Sequence, residues 1–529
     1  MLAIVIETTF GEEWTLTADL ALINANVRTM NPLQPLAQAV AIKKNRILKV
    51  GSNQEIRNLV GKDTKVISLY GKTMVPGLID THIHMADFGR CLMWLDFSDA
   101  ESIKELQALL REQAKQTSAE KWIVGRGWNE NCFKEKRLLT LGDLDAAAPE
   151  NPVILYHGGA YICATNSKAL ALAGVTSKTA VPSGGTIDKT ATGELTGIFR
   201  GTATNLVWQV VAEPSLEELA DATAMACQKV VESGITSIDW IILQENELAL
   251  IQSLHKQGKL PIRVNVIVPY ELLKCARGFT SNDPLWLRLE GVIIFVDGYL
   301  DSKTAALKQP YSDEPNNNGK MLCTKQELAG WLAQVLALGL QPVIHTMGDR
   351  AVDTALSVIE ESDKKVRFRI EQAAVLNREL VKRLKVQNVV VSVQPKMVPT
   401  EFDVWLATDH LGVERAKWLH PLKTLLDEGI KVAGGSDCPM EPLNPLLGMQ
   451  ETVVRESYPE QRLNIKEALR MYTLDAAFCS CEENVKGSIE EGKLADLTAL
   501  SADPNEVVPE KIKDIRVEMV FIDGKPIKI

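Results

Sequence analysis

The chain has 529 residues, more than one simple domain usually holds. Hydrophobic residues at 46 % and charged residues at 24 % are the proportions of a soluble globular enzyme with a large core. A net charge of −10 excludes a broad cationic face for nucleic acid or anionic lipid, and no apolar run is long enough to cross a bilayer.

The stretch from Met1 to Trp14 has no basic start and meets Gly11, Glu12 and Glu13 early, so no secretory leader is expected. The first 74 residues read as short strands and turns, with β-rich runs at 20–29, 39–42 and 46–50. Residues 488–529 return to that texture and close with an Asp523-Gly524 hairpin turn. The two ends are therefore expected to pair into one small β-sandwich. Between them, residues 75–487 alternate buried strands with amphipathic helices. The strands are expected at 75–80, 235–239, 262–268, 292–296, 341–345, 366–370, 389–393 and 431–435. Eight such units predict an α/β fold, a (β/α)8 TIM-type barrel whose chemistry sits at the C-terminal strand ends. The gap after the first strand is too long for one crossover. An insertion at about 90–200 is expected to cover the mouth, carrying Trp122, Trp128, Tyr156 and the turn at 182–185. Nine cysteines, none in a CxxC pattern, predict reduced thiols and a cytoplasmic setting. Cys479 and Cys481 read as helix packing.

The chemistry is carried by strand ends. His82 and His84 are two apart on the first strand, so their rings share a side. His345 ends the fifth strand, and Asp437 follows Gly434, Gly435 and Ser436 at the end of the eighth. Three imidazoles and one carboxylate suit one divalent ion, zinc or a first-row neighbour. Such an ion lowers the pKa of bound water and polarises a carbonyl oxygen. Asp437 then either ligates it or takes the water's proton and passes it to the leaving group. Among the other histidines, His157 lies in the insertion and is a candidate at the mouth, whereas His255, His410 and His420 read as surface. Asp297 either lines the pocket or is a turn carboxylate before Gly298. Asp349 and Arg350 read as a loop ion pair or helix cap. There is no GxGxxG at a strand–helix junction and no GxxxxGK[ST], which leaves a nucleotide-dependent enzyme without support.

Several stretches carry a resemblance. They are Val75 through His84, Asn166-Ser167-Lys168-Ala169-Leu170, and Thr192 through Gly197. Phe295-Val296-Asp297-Gly298 is followed by Thr304 through Leu307 and by His345 through Arg350. The last are Arg369-Ile370-Glu371, Val393-Gln394-Pro395, Gly435 through Pro439 and Gly492 through Asp496. In these the chain resembles the amidohydrolase superfamily, specifically its YtcJ-like branch of metal-dependent hydrolases, amidohydrolase family 3. The resemblance covers nearly the whole chain. It implies a metal-bearing barrel with a terminal β-sandwich and hydrolysis of non-peptide C–N bonds in a small amide, N-formyl, cyclic amide or aminated compound. A small-molecule substrate is the expected partner, with no nucleic acid or membrane, and a homodimer is the default assembly.

The chain departs from that family at four places. Ile293 stands where the family carries a lysine able to bridge two metals, so one zinc per chain is expected. Gln372 replaces the histidine of the sixth strand, Ala160-Tyr161 replaces a Gly-His pair, and Lys396 replaces a histidine after Gln394-Pro395. Tyr161, His157, Asp297, Gln372, Lys396 and Trp128 are then the candidates for holding substrate, with His345 and Asp437 catalytic. The alternative is a degenerate amidohydrolase scaffold that binds a small molecule without hydrolysing it.

Overall fold

The computed structural model describes residues 17–157, 162–182, 184–362 and 366–529. The chain forms two compact units, Ala86–Met225 and the remainder.

The remainder holds the barrel. Its strands are β1 (Leu78–Ile83), β2 (Ile235–Ile241), β3 (Arg263–Pro269), β4 (Leu287–Phe295), β5 (Gln341–Thr346), β6 (Arg369–Gln372), β7 (Val390–Val393) and β8 (Val432–Gly434). Each pairs in parallel with the next in sequence order, as expected. The seam between β8 and β1 closes through the loop after β8. There the Asp437 N–H donates to the His82 carbonyl at 2.7 Å and the His84 N–H to the Cys438 carbonyl at 3.0 Å. Continuous apolar runs form these strands because helices cover the outside and side chains fill the lumen. One lumen layer is apolar: Ile241, Ile267, Ile293 and Val343, with Phe295 against them.

Two sheets are built from the chain ends. One orders Arg46–Gly51, Ala39–Lys43, Leu20–Ile23 and Lys65–Ser68. The other joins Thr73–Pro76 antiparallel to Leu497–Leu500, continuing through Val517–Ile522 to Lys525–Ile527. Leu20 and Leu22 enter one core cluster, Ala21 and Ile23 another, as the two-residue period of a strand requires. The expected first barrel strand at 75–80 is corrected here. The run divides at Gly77, with Thr73–Pro76 in the terminal sheet and β1 starting at Leu78. A Cβ on Gly77 would lie 2.2 Å from Thr236 Oγ1, so only glycine lets the chain pass. An unbroken apolar run carries no sign of such a change of sheet.

The unit Ala86–Met225 has a six-stranded sheet of its own, running from Gly185–Lys189 to Leu95–Asp96. It also has its own core, which includes Phe97, Leu106, Trp128 and Phe133.

Candidate metal centre

His82 and His84 come from the end of β1, and Asp437 from the loop after β8. The seam hydrogen bonds that close the barrel hold these two segments together. Asp80 reinforces them: its Oδ1 accepts the N–H of His82 at 3.0 Å and of Ser436 at 2.9 Å. Asp437 takes a left-handed backbone, φ 58°. One ligand-type atom from each of His82, His84 and Asp437 lies within 4.8 Å of the others. Asp437 Oδ1 is 3.2 Å from His84 Nε2 and 3.5 Å from His82 Nε2.

The hydrogen bonds behind the rings decide what these atoms are. His84 Nδ1 is 2.9 Å from the carbonyl oxygen of Ile241, which can only accept. Nδ1 therefore carries a proton, and Nε2 is the ring atom that faces Asp437 and is left for a cation. His82 Nδ1 is 2.7 Å from Glu371 Oε2, with the same consequence. Burial pushes the Glu371 carboxyl up, but the Arg369 charge and the His82 hydrogen bond outweigh it and bring its pKa to about 2. Burial also works against the Asp437 carboxylate, and the neighbouring imidazoles hold its pKa below the usual value. Two imidazole Nε2 atoms and a carboxylate oxygen thus converge on one point. This is the donor set and the supporting shell of a divalent-cation site.

Behind Glu371 runs a buried chain of charge. Arg369 Nε donates to Glu371, its Nη1 to Asp239 and its Nη2 to the Thr81 carbonyl. Asp239 also accepts from Asn265 at 2.9 Å and from the Ser480 hydroxyl. Arg369 and Glu371 were visible as a family motif, but their role was not. The available signal was two charges two residues apart in a short strand, which places both on one side of it.

The other candidates separate. His345 lies in β5, 2 % exposed, with its ring 5.0 Å from that of Phe295 and 5.4 Å from that of Tyr299. Its Nδ1 is buried without a hydrogen-bond partner among the described residues. Burial, then the charge of His82, pushes its pKa down to about 4, so at neutral pH it is a neutral imidazole. It stands beside the three-donor group rather than within it. Gln372 is buried at the end of β6 with Oε1 unpartnered and φ 66°. Lys396 is half-buried after β7, with no ion pair to a described residue. Asp297 is committed to structure. Oδ2 accepts the N–H of Ala306 at 2.7 Å and of Gly348 at 2.8 Å, and Oδ1 that of Met347 at 2.9 Å.

Trp128 is corrected from binder to core: it is fully buried and its indole N–H donates to the Leu155 carbonyl at 2.9 Å. His157 Nε2 is 3.0 Å from Glu130, and its ring meets Trp128 edge-on. Tyr161 lies outside the described residues. His420, expected at the surface, is buried with Nε2 2.6 Å from Glu401. Ile293 lies in the apolar lumen layer, which offers no ligand where the family carries its bridging lysine.

A parallel eight-stranded barrel with imidazoles and a carboxylate gathered at the ends of its first and last strands is the frame of a metal-dependent hydrolase. A family model of the amidohydrolases matches residues 65–528, and the chain belongs to that family. It is 32 % identical to a putative amidohydrolase, YtcJ, of Bacillus subtilis, over 92 % of this chain and 95 % of that one. It is 27 % identical to an N-substituted formamide deformylase of Arthrobacter pascens, over 96 % of this chain and 97 % of the relative. A metal-dependent hydrolase of Pyrococcus furiosus superposes with a TM-score of 0.77 at 28 % identity, covering 92 % of this chain and all of that one. The chain is thus a hydrolase acting on C–N bonds.

Proposed function

We propose that this hydrolase cleaves the C–N bond of a small amide, N-formyl, cyclic amide or aminated compound, using one zinc ion held by His82, His84, Asp437 and His345. The observation that supports the reading is that both Nε2 atoms face Asp437 while Glu371 and the Ile241 carbonyl hold the two Nδ1 atoms from behind. A bound divalent ion supplies Lewis acidity, which activates water and polarises the scissile carbonyl. The protein does the rest. Asp437 Oδ1, within 3.5 Å of both imidazoles, takes the proton of the attacking water and returns it to the leaving nitrogen. Glu371 and the Ile241 carbonyl keep the ring tautomers fixed while charge moves. Gln372, whose carbonyl oxygen has no hydrogen-bond partner among the described residues, and Lys396, whose ammonium lies in the field of Glu441 and Glu451, orient the substrate. The apolar layer around Ile293 favours one ion over a bridged pair. Nine free thiols suit a reducing cytoplasm.

The test is elemental analysis of protein purified without chelator, alongside His345→Ala, followed by a panel headed by N-substituted formamides, the class named for the Arthrobacter relative. About one zinc per chain, reduced in the variant, with turnover on one member of the panel, is the expected result. Two ions per chain would overturn the single-ion reading. No turnover after metal reconstitution would favour the alternative, a scaffold that binds a small molecule without hydrolysing it.

A further inference from the structure

Tyr299 follows Gly298 on the loop after β4, and three observations set it apart from an ordinary surface tyrosine. Its ring packs 5.4 Å from that of His345. Its hydroxyl has no hydrogen-bond partner among the described residues, although the residue keeps 46 % of its surface exposed. Its backbone is tied down. The N–H donates to Thr304 Oγ1 at 2.9 Å, and the carbonyl accepts from the N–H groups of Thr304 and Ala305, each at 2.9 Å. Asp297 then fastens the same loop, at Ala306, to the strand end that carries His345, at Met347 and Gly348. These bonds fix the backbone that carries the ring beside His345, as a positioned donor requires.

We propose that Tyr299 is a catalytic residue: its hydroxyl donates a hydrogen bond to the substrate's carbonyl oxygen as that oxygen gains charge. The proposal rests on the hydrolytic reading above. The chemistry of the group suits the role. A phenol titrates at about 10, so at neutral pH the hydroxyl carries a proton it can donate. The oxygen it serves belongs to a substrate with a planar C(=O)–N group. An aminated heterocycle has no such oxygen at the attacked carbon, so the contact favours amides over deamination.

The experiment is Tyr299→Phe in the zinc-loaded enzyme, assayed on the best amide or formamide of the panel. It reads kcat and KM separately, zinc content, the melting temperature, and the calorimetric affinity of a phosphinate that mimics the tetrahedral state. Expected are a loss of about 10²–10³-fold in kcat, as for one oxyanion donor, and a comparable loss in phosphinate affinity. KM should stay within about threefold, with zinc and melting temperature unchanged. A variant with kcat within about threefold of the parent overturns the proposal while leaving the hydrolytic reading intact. A variant that loses zinc or melts early also overturns it, because Tyr299 would then be a packing residue. A parent enzyme silent on every amide and formamide, yet releasing ammonia from aminated heterocycles, overturns it too. A parent silent on the whole panel overturns both readings together.

Discussion

At the residue scale, the site depends on two carboxylates whose tasks differ. Asp437 faces both imidazoles, and Glu371 stands behind one of them. Asp437→Asn should cut turnover about 10³-fold, within the usual span for removing a general base. It should leave the melting temperature nearly unchanged, since asparagine tolerates the left-handed backbone that this position adopts. Undiminished turnover would move the proton to another group. Glu371→Gln keeps shape but removes charge from a fully buried pair with Arg369, in contact with His82. Its stability should fall by about 3–5 kcal/mol, read as a lower denaturant midpoint. Zinc affinity should fall about 10–100-fold, the usual cost of losing a partner behind a ligand. A variant with parental zinc affinity would show that the His82 orientation is set by packing alone.

At the element scale, Asp297 joins three pieces of chain: the end of β4, the loop at Ala306 and the end of β5. Burial raises its pKa from 3.8 to about 6, against the pull of its three N–H donors. The folded protein therefore holds a proton that the unfolded chain releases. That contribution is complete below the ordinary value of 3.8 and is lost as pH rises through about 6. The loss is on the order of 3 kcal/mol. Denaturant midpoints should fall between those two values and then level, and Asp297→Asn should remove the slope. A parent enzyme with no slope in that window would mean that the three N–H donors already keep the carboxylate charged. The tight turn after β4 makes the same point in steric terms: a Cβ on Gly298 would lie 2.1 Å from Thr304 Oγ1, the atom that receives the Tyr299 N–H.

At the scale of the whole molecule, the chain first passes from the terminal sheet into the barrel at a single residue, Gly77. Gly77 donates its N–H to the Asp496 carbonyl at 2.9 Å, while its Cα hydrogens face Thr236. Gly77→Ala should lower stability by about 1–3 kcal/mol, the range for overpacking. Adding Thr236→Gly should recover part of that loss. Equal midpoints for Gly77→Ala and the parent would show that the junction can open without cost. The cores on either side are large, yet the chain crosses between them where one methyl group does not fit.

Periodicity and strand ends made the barrel, its eight strands and the pairing of the two termini legible in the sequence, because both patterns are local: apolar runs of strand length and polar residues at their C-terminal ends. His82 and His84 share a side by the two-residue period of a strand, and Asp437 followed from its place after the eighth. The division at Gly77 and the burial of His420 and Trp128 were not legible, because burial and sheet membership depend on residues far away in the chain. The same holds for Arg369, which meets Asp239 and the Thr81 carbonyl from other strands. The sequence by itself determined which side chains can bind a cation. Only the tertiary structure decided which ring nitrogen faces Asp437, because the ring is oriented by the acceptor behind it, and the acceptors here, Glu371 and the Ile241 carbonyl, come from other strands.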